Sequence, residues 1–196
     1  MLMNPFQRRD NPHSLVVAMT GVKMGDGLVQ VGCAHGGRLG AVAAKVGLSG
    51  RAMAFVPDET SAARARKGAA QSGVLVEVEV APPTRLPAED GSFDLAVVDD
   101  TGGLLGTMRP EARALAIREL LRILRPGGRA MVVGVAPPGG FGALLARARP
   151  NPQFEAAGGA LASLQAGGFT SVRVLAERDG LRFVEGLKTR DTGKAG

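Results

Sequence analysis

The stretch LPAEDGSFDL, residues 86–95, sets an Asp-Gly-Ser turn directly before the apolar run Phe93–Val98. A near-continuous apolar run of this kind is typical of a central strand of a parallel sheet, which is buried on both faces. A second stretch, LRPGGR at residues 124–129, contains the Pro and Gly residues that stop a helix, and the apolar run Ala130–Val135 follows it. The two stretches therefore predict two buried strands with a helix between them.

Outward from these stretches, strand-like and helix-like segments alternate, as expected of an α/β fold with a mainly parallel sheet. Three further strands are predicted at Leu28–Val31, Ala52–Val56 and Val74–Val80. Apolar residues at helical spacing predict helices around residues 39–46, 60–70, 110–124 and 160–166. Asp58 or Thr60 is expected to cap the second of these helices.

Two later segments depart from this alternation. Asp179-Gly180, a strong two-residue turn signal, separates Ser171–Glu177 from Leu181–Leu187, so the sheet is predicted to end in an antiparallel hairpin. Residues 136–160 are rich in Pro and Gly, and only a short helix around Gly142–Ala148 is predicted there. This irregular stretch is a candidate lid or partner surface.

Composition indicates one globular domain. The chain has 196 residues, 45% of them hydrophobic, and its apolar stretches are far shorter than the ~20 residues that cross a bilayer. Arg8, Arg9 and Asp10 stand where an export signal has its apolar core, and a single cysteine forms no internal disulfide, so a cytoplasmic location is predicted. The net charge of +6 favours a solvated basic surface over a nucleic-acid partner, because the chain has no Trp or Tyr to stack on bases.

The two opening stretches also carry a family resemblance. LPAEDGSFDL resembles the "LPF.DGSFD" segment of class I S-adenosyl-L-methionine (SAM)-dependent methyltransferases, particularly the type 11 and quinone-biosynthesis groups, and LRPGGR resembles their "LKPGG" turn. The resemblance implies a Rossmann-like class I methyltransferase sandwich, with a mostly parallel seven-stranded sheet and a C-terminal antiparallel hairpin. It places the domain at residues 21–188, a helical cover at 1–20 and a frayed tail at 189–196. It also implies SAM as the cofactor.

The family's first turn reads acidic-x-Gly-x-Gly-x-Gly, and the matching stretch is QVGCAHG at residues 30–36. The resemblance implies cofactor contacts from five positions of this turn: Gln30, Gly32, Ala34, His35 and Gly36. Two departures weaken the match, because Ala34 adds a Cβ where the backbone approaches the ligand and Gln30 brings no negative charge.

The family's adenosine contacts depart further. The ribose-binding acid at the end of the second strand aligns with Val56, next to Pro57, and the nearby Asp58 is interpreted as a helix cap. The adenine-binding acid aligns with Pro82, and Pro83 has no N–H for the adenine ring. Each lost polar contact costs ~1–3 kcal/mol of binding. The sequence therefore predicts a divergent, weakened cofactor site.

Candidate catalytic residues are few. Asp99 and Asp100 end the fourth strand, where open α/β sheets present ligand-contacting groups, and they are predicted to orient a substrate or accept a proton. Asp99 is predicted to contact the cofactor as well. Cys33 is interpreted as a packing residue, and one cysteine with two histidines predicts no metal site.

Three functions remain in competition on these residues. The first is methyl transfer from SAM to a small-molecule acceptor through a divergent pocket. The second is a non-catalytic interaction or scaffold subunit, a pseudoenzyme that has lost SAM and binds a protein partner. The third, a nucleotide-dependent oxidoreductase, is disfavoured because the dinucleotide pattern G-x-G-x-x-G is absent. The oligomeric state is not predicted.

Overall fold

A computed structural model describes residues 12–137 and 151–190. The helices are α1 (Ser14–Thr20), α2 (Gly36–Val46), α3 (Glu59–Ser72), α4 (Leu104–Thr107), α5 (Pro110–Ile123), α6 (Pro152–Ala156) and α7 (Gly159–Ala166). The strands are β1 (Gly27–Val31), β2 (Arg51–Val56), β3 (Glu77–Val80), β4 (Phe93–Asp99), β5 (Leu124–Val135), β6 (Thr170–Arg178) and β7 (Leu181–Leu187). The predicted helix around Gly142–Ala148 lies outside the described residues. None of the described helices is long and apolar enough to cross a membrane.

The seven strands form one sheet in the order β3-β2-β1-β4-β5-β7-β6. The first five in this order are parallel, while β7 runs antiparallel to both β5 and β6. The predicted mostly parallel sheet with a terminal antiparallel hairpin is confirmed. The strand order reverses between β1 and β4, and in open α/β sheets ligands bind beside such a reversal, outside the carboxyl ends of the strands.

The sheet is covered on both faces, which explains the apolar run of the central strand. From Leu95 to Val98, alternate residues of β4 face opposite sides: Ala96 and Val98 belong to one core cluster, and Leu95 and Val97 to a second. Phe93 joins the first cluster from the other side of a register shift. Residues from α5 and α7 pack into the first cluster, and residues from α1 and α2 pack into the second. A strand buried on both faces reads as continuously hydrophobic because neither set of side chains meets water.

The terminal hairpin follows its turn signal. Asp179 and Gly180 both have positive φ angles, 54° and 74°, which is the backbone that a two-residue type I′ turn requires. Asp tolerates this conformation better than most residues and Gly adopts it without strain. The hairpin predicted from Asp179-Gly180 is confirmed.

Two predicted boundaries are wrong. The third strand was expected at Val74–Val80 but begins at Glu77, because Gly73 ends α3 in a left-handed conformation and the amide of Val74 donates to Ala69 in that cap. The fifth strand begins at Leu124 and not at Ala130, since the chain pairs with β4 across a bulge around the Pro-Gly-Gly turn. The short helices α4 and α6 were not predicted.

Helix α1 is fastened to the sheet by Arg129. The guanidinium donates to the carbonyl oxygens of Thr20 and Gly21, at 2.6 and 3.0 Å, and so caps the C-terminal end of the helix. Its Nη1 also lies 3.3 Å from the carboxylate of Glu185, which is buried on β7. One side chain therefore connects α1, β5 and β7.

Replacing Arg129 is expected to destabilise the protein. Arg129→Met removes the α1 cap and one of the two cationic partners of a buried carboxylate, so we expect the free energy of unfolding to fall by ~2–4 kcal/mol. Arg125→Met is the matched control, because its pair with Asp94 is largely exposed and worth less than ~1 kcal/mol. Urea denaturation measures both variants, and equal losses would contradict a special role for Arg129.

Candidate cofactor and ligand site

The turn from β1 to α2 is tightly packed by the chain itself. Gly32 has a φ of +78°, and a Cβ at this position would lie 2.8 Å from Leu104 Cδ2 and 3.1 Å from the Asp99 carbonyl oxygen. A Cβ on Gly36 would lie 2.2 Å from the Arg64 carbonyl oxygen on α3. The buried Gln30 side chain donates to the Gly32 carbonyl at 2.9 Å. Both glycines therefore have structural reasons to be glycine.

Asp99 holds the same turn from the neighbouring strand. Its Oδ2 accepts hydrogen bonds from the amides of Ala34 and His35, at 2.9 and 3.1 Å. Its Oδ1 accepts from the Thr101 hydroxyl at 2.6 Å and lies 3.6 Å from the Arg38 guanidinium. The side chain is buried and both of its oxygens have partners. Asp99 thus supplies, from β4, the carboxylate that Gln30 does not supply from β1.

The adenosine side of the edge is apolar. Val56 is 0% exposed and packs in one cluster with Cys33, Leu39, Ala54, Ala62 and Ala65. Asp58 is the cap of α3, since its Oδ1 accepts from the Ser61 amide at 2.7 Å, and Pro57 is exposed. Pro83 is buried and has no N–H to offer. At the positions of the family's two acids, Val56 and Pro82 present no carboxylate, and Pro83 presents no amide donor for an adenine ring.

These residues therefore do not fit SAM in the way that the family resemblance implies. The methionine side has ordered amides, but Asp99 already uses those of Ala34 and His35. On the adenosine side, Val56 faces its own apolar cluster and is fully covered. The two ends of the expected cofactor site differ: at the first, the turn amides are paired with a carboxylate of the chain, and at the second, Val56 and Pro82 stand at the positions of the family's acids.

The polar side chains around the turn are not poised as nucleophiles or metal ligands. Burial, reinforced by the charge of Asp99, raises the pKa of the Cys33 thiol to about 11, so it is neutral at physiological pH. His35 is exposed, and its ring meets the His13 ring edge-on with centroids 5.6 Å apart. Within residues 12–137 and 151–190, no group of three His, Cys, Asp or Glu residues is placed to hold a metal ion.

The side chain of Asp100 faces a cavity, whereas that of Asp99 faces the turn from β1 to α2. Asp100 lines this cavity of about 280 Å³ at the carboxyl edge, between the ends of β4 and β5, the start of β7 and helix α6. Its Oδ1 accepts from the Leu105 amide at 2.6 Å. Burial raises the pKa of Asp100 to about 6 against this hydrogen bond, and the charges of Asp99 and Glu155 raise it further. The carboxyl group therefore titrates near neutral pH.

The cavity contains a charged group that sequence reasoning missed. Glu155 on α6 and Arg182 on β7 both line it, with Arg182 Nη1 2.7 Å from Glu155 Oε2. Each is an ordinary polar residue in its own segment, and the helix that carries Glu155 was not predicted. The Asp179-Gly180 hairpin was the available signal, because it places the start of β7 beside the end of β5. Of the predicted site residues, Asp100 lines this cavity and the others named above do not.

Neutralising Asp99 is expected to loosen the turn. In Asp99→Asn one acceptor oxygen becomes an NH₂ donor, so either the two turn amides or the Thr101 and Arg38 donors lose their acceptor, at a cost of ~1–3 kcal/mol. We expect amide hydrogen exchange at Ala34 and His35 to accelerate about tenfold. Asp58→Asn is the control, because Asn caps a helix as well as Asp does. Unchanged exchange at both amides would contradict the assignment.

Neutralising Asp100 is expected to stabilise the protein in a pH-dependent way. Because the folded-state pKa is raised above that of the unfolded chain, the folded protein binds more protons between about pH 4 and 6, and stability from this group falls as pH rises through that window. Asp100→Asn keeps the acceptor for Leu105 and removes the charge. We expect it to raise the free energy of unfolding by about 1–2 kcal/mol more at pH 7.5 than at pH 4.5.

Urea denaturation at the two pH values measures this difference. Asp179→Asn is the matched control, because Asp179 lies in an exposed turn with positive φ, which Asn also adopts. The same pH-dependent gain in the control, or no gain in Asp100→Asn, would contradict the prediction that the ionised Asp100 carboxylate destabilises the folded protein.

A sequence profile described as a methyltransferase domain matches residues 28–128, slightly more than half of the chain. An uncharacterized 37.1 kDa protein in transposon TN4556 of Streptomyces fradiae is 35% identical over 121 residues, which are 62% of this chain and 33% of that protein. An uncharacterized protein of Mycobacterium tuberculosis is 31% identical over 136 residues, 69% of this chain and 47% of that protein. The chain spans less than half the length of these curated relatives.

Solved structures show the same architecture. A SAM-dependent methyltransferase from Aquifex aeolicus is similar with a TM-score of 0.69 and 19% identity, covering 94% of this chain and 93% of that one. The [4+2]-cyclase SpnF is similar with a TM-score of 0.63 and 22% identity, covering 94% and 82%. At these identities the likeness concerns the fold. Together with the profile match, which carries the assignment, it confirms the resemblance seen in the sequence: the chain belongs to the methyltransferase domain family, in the class I SAM-dependent fold.

Proposed function

We propose that this domain is a non-catalytic binding module of the methyltransferase fold, which does not hold SAM in the family's manner. The observation that carries the proposal is the burial of Val56, which is 0% exposed inside an apolar cluster at the position of the ribose-binding acid. Before the cofactor binds, the place that its ribose will occupy has to be open to solvent, because a sugar cannot displace the side chains of a packed core. Restoring the contact would require repacking β2 against α2 and α3.

The size of the deficit supports the proposal. A contact to the ribose, a contact to the adenine and a free pair of turn amides each contribute ~1–3 kcal/mol to binding. Losing all three removes about half of the ~8 kcal/mol that corresponds to micromolar affinity. The remaining affinity for SAM would then be near millimolar, and a protein with that affinity transfers few methyl groups at low cofactor concentration.

Methyl transfer to a small-molecule acceptor is the second candidate function, and Asp100 favours it. A carboxyl with a pKa of about 6, lining a cavity at the carboxyl edge of the sheet, suits the removal of a proton from an acceptor. Methyl transfer itself also depends mainly on positioning, so few catalytic side chains are needed. The family assignment is common to both candidates and does not separate them.

The place and partners of the domain follow from the same proposal. The single cysteine, which forms no internal disulfide, supports a cytoplasmic location. As a binding module, the domain would act through a small-molecule ligand or a protein partner. Because the matched residues cover only 33% and 47% of these curated relatives, the remaining residues of such longer proteins are a natural place for a partner.

Calorimetric titration with SAM and with its demethylated product tests the proposal. We expect no saturable binding of either compound up to about 1 mM, because the adenosine end finds no polar partner. Adenosine and methionine titrated separately form the fragment controls, and neither is expected to bind. A dissociation constant below about 100 μM for SAM, or transfer of a labelled methyl group, would establish the second candidate and overturn the first.

A further inference from the structure

Apolar side chains, glycines and charged side chains line the cavity beside Asp100. Its apolar wall is made by Val132, Val135, Phe154, Ala160 and Val184. Glycines from β5, α4 and the β4–α4 loop also line it. The volume of about 280 Å³ lies just below the range of roughly 300–1,000 Å³ that is usual for small-molecule pockets. The walls therefore suit a compact ligand with an apolar body.

The charges in the wall do not balance. Arg182 is neutralised twice, by Glu155 at 2.7 Å and by Glu177 at 2.6 Å. The cavity wall thus carries two carboxylates, Asp100 and Glu155, and one guanidinium, and the two charges that raise the pKa of Asp100, those of Asp99 and Glu155, are both negative. This excess of negative charge favours a cation over an anion inside the cavity.

The cavity wall also offers hydrogen-bond acceptors to donor groups of a ligand. Asp100 Oδ1 accepts from the Leu105 amide, the Gly106 amide is a second backbone donor to the carboxylate, and Oδ2 lies 3.9 Å from the point that a Cβ on Gly134 would occupy, at the cavity wall. The Thr107 hydroxyl donates to the Gly103 carbonyl, and the Asn151 amide donates to the Gly106 carbonyl, so these donors are used inside the protein. A carboxylate accepts several hydrogen bonds, so Asp100 and Glu155 can still accept from a ligand.

We propose that this cavity binds a small protonated amine with an apolar substituent, its ammonium group on Asp100 Oδ2 and its apolar group against Phe154 and Val184. A buried carboxylate without a cation is costly, and an ammonium ion removes that cost by pairing with it. The inference deepens the proposed function, because a binding module needs a ligand, and it names the class of that ligand.

Titration with three matched probes tests the proposal: benzylamine, benzyl alcohol and benzoate share one ring and differ in charge. At pH 7.5 we expect benzylamine to bind at least tenfold more tightly than benzyl alcohol, and benzoate not to bind. Amide chemical shifts should move at Gly106, Gly134 and Phe154. Asp100→Asn should lower the benzylamine affinity about tenfold, while Asp179→Asn, which removes one charge from an exposed turn, should leave it unchanged.

A pH series separates ion pairing from a merely structural role of Asp100. We expect the affinity for benzylamine to fall about tenfold from pH 7.5 to pH 5, because Asp100 becomes protonated while the amine stays charged, and the affinity for benzyl alcohol to stay constant. Equal affinities for the amine and the alcohol, tighter binding of benzoate, or shifts confined to other residues would each overturn the proposal.

The outcome is separable from the SAM titration. Amine binding together with SAM binding would overturn the non-catalytic function and keep the amine site, with the amine as methyl acceptor. Absence of both would overturn the amine site and leave the proposed loss of SAM standing.

Discussion

The carboxylate of Asp99 fixes the turn around which the carboxyl edge of the sheet is built. The amides of Ala34 and His35 stand at the N-terminal end of α2, where helix donors have no intrahelical acceptor. Asp99 reaches them from β4, across the place where the strand order reverses, and so ties β1 to β4. A ligand that used these amides would have to displace a carboxylate anchored to the sheet. The order of the turn therefore does not depend on a cofactor.

This constraint divides the edge into two unequal halves. On the side of β2 and β3, Val56 packs in the apolar cluster under α2 and α3, and Pro82-Pro83 follow β3 after Ala81. On the side of β5 and β7, Asp100 lines a cavity with charged groups. Similar folds carry more than one chemistry, since a [4+2]-cyclase shares the architecture with SAM-dependent methyltransferases. The cavity on the side of β5 and β7 is therefore the place to which we assign the proposed ligand.

Sequence patterns predicted the parts of the fold whose causes are local. Phe93–Val98 is continuously apolar because it is covered on both faces, and Asp179-Gly180 turns because both residues adopt positive φ. The site depends on pairs that are distant in sequence. The amides of Ala34 and His35 that donate to Asp99 lie 65 and 64 residues away, and Glu155 meets Arg182 across 27 residues, so no local pattern predicts these contacts. Family resemblance named Asp99 as a cofactor contact but could not show that the turn already uses it.

The two neighbouring aspartates show why only one of them indicates a ligand. Asp99 is the more deeply buried, yet its oxygens accept hydrogen bonds from Ala34, His35 and Thr101, which offset the cost of removing a charge from water. Burial raises the pKa of Asp100 to about 6 against hydrogen bonds from the amides of Leu105 and Gly106, and the charges of Asp99 and Glu155 raise it further. An apolar or amide side chain in place of Asp100 would avoid that cost. We therefore place the proposed ammonium group at Asp100, whose carboxylate lines the cavity, and not at Asp99, whose oxygens are paired within the protein.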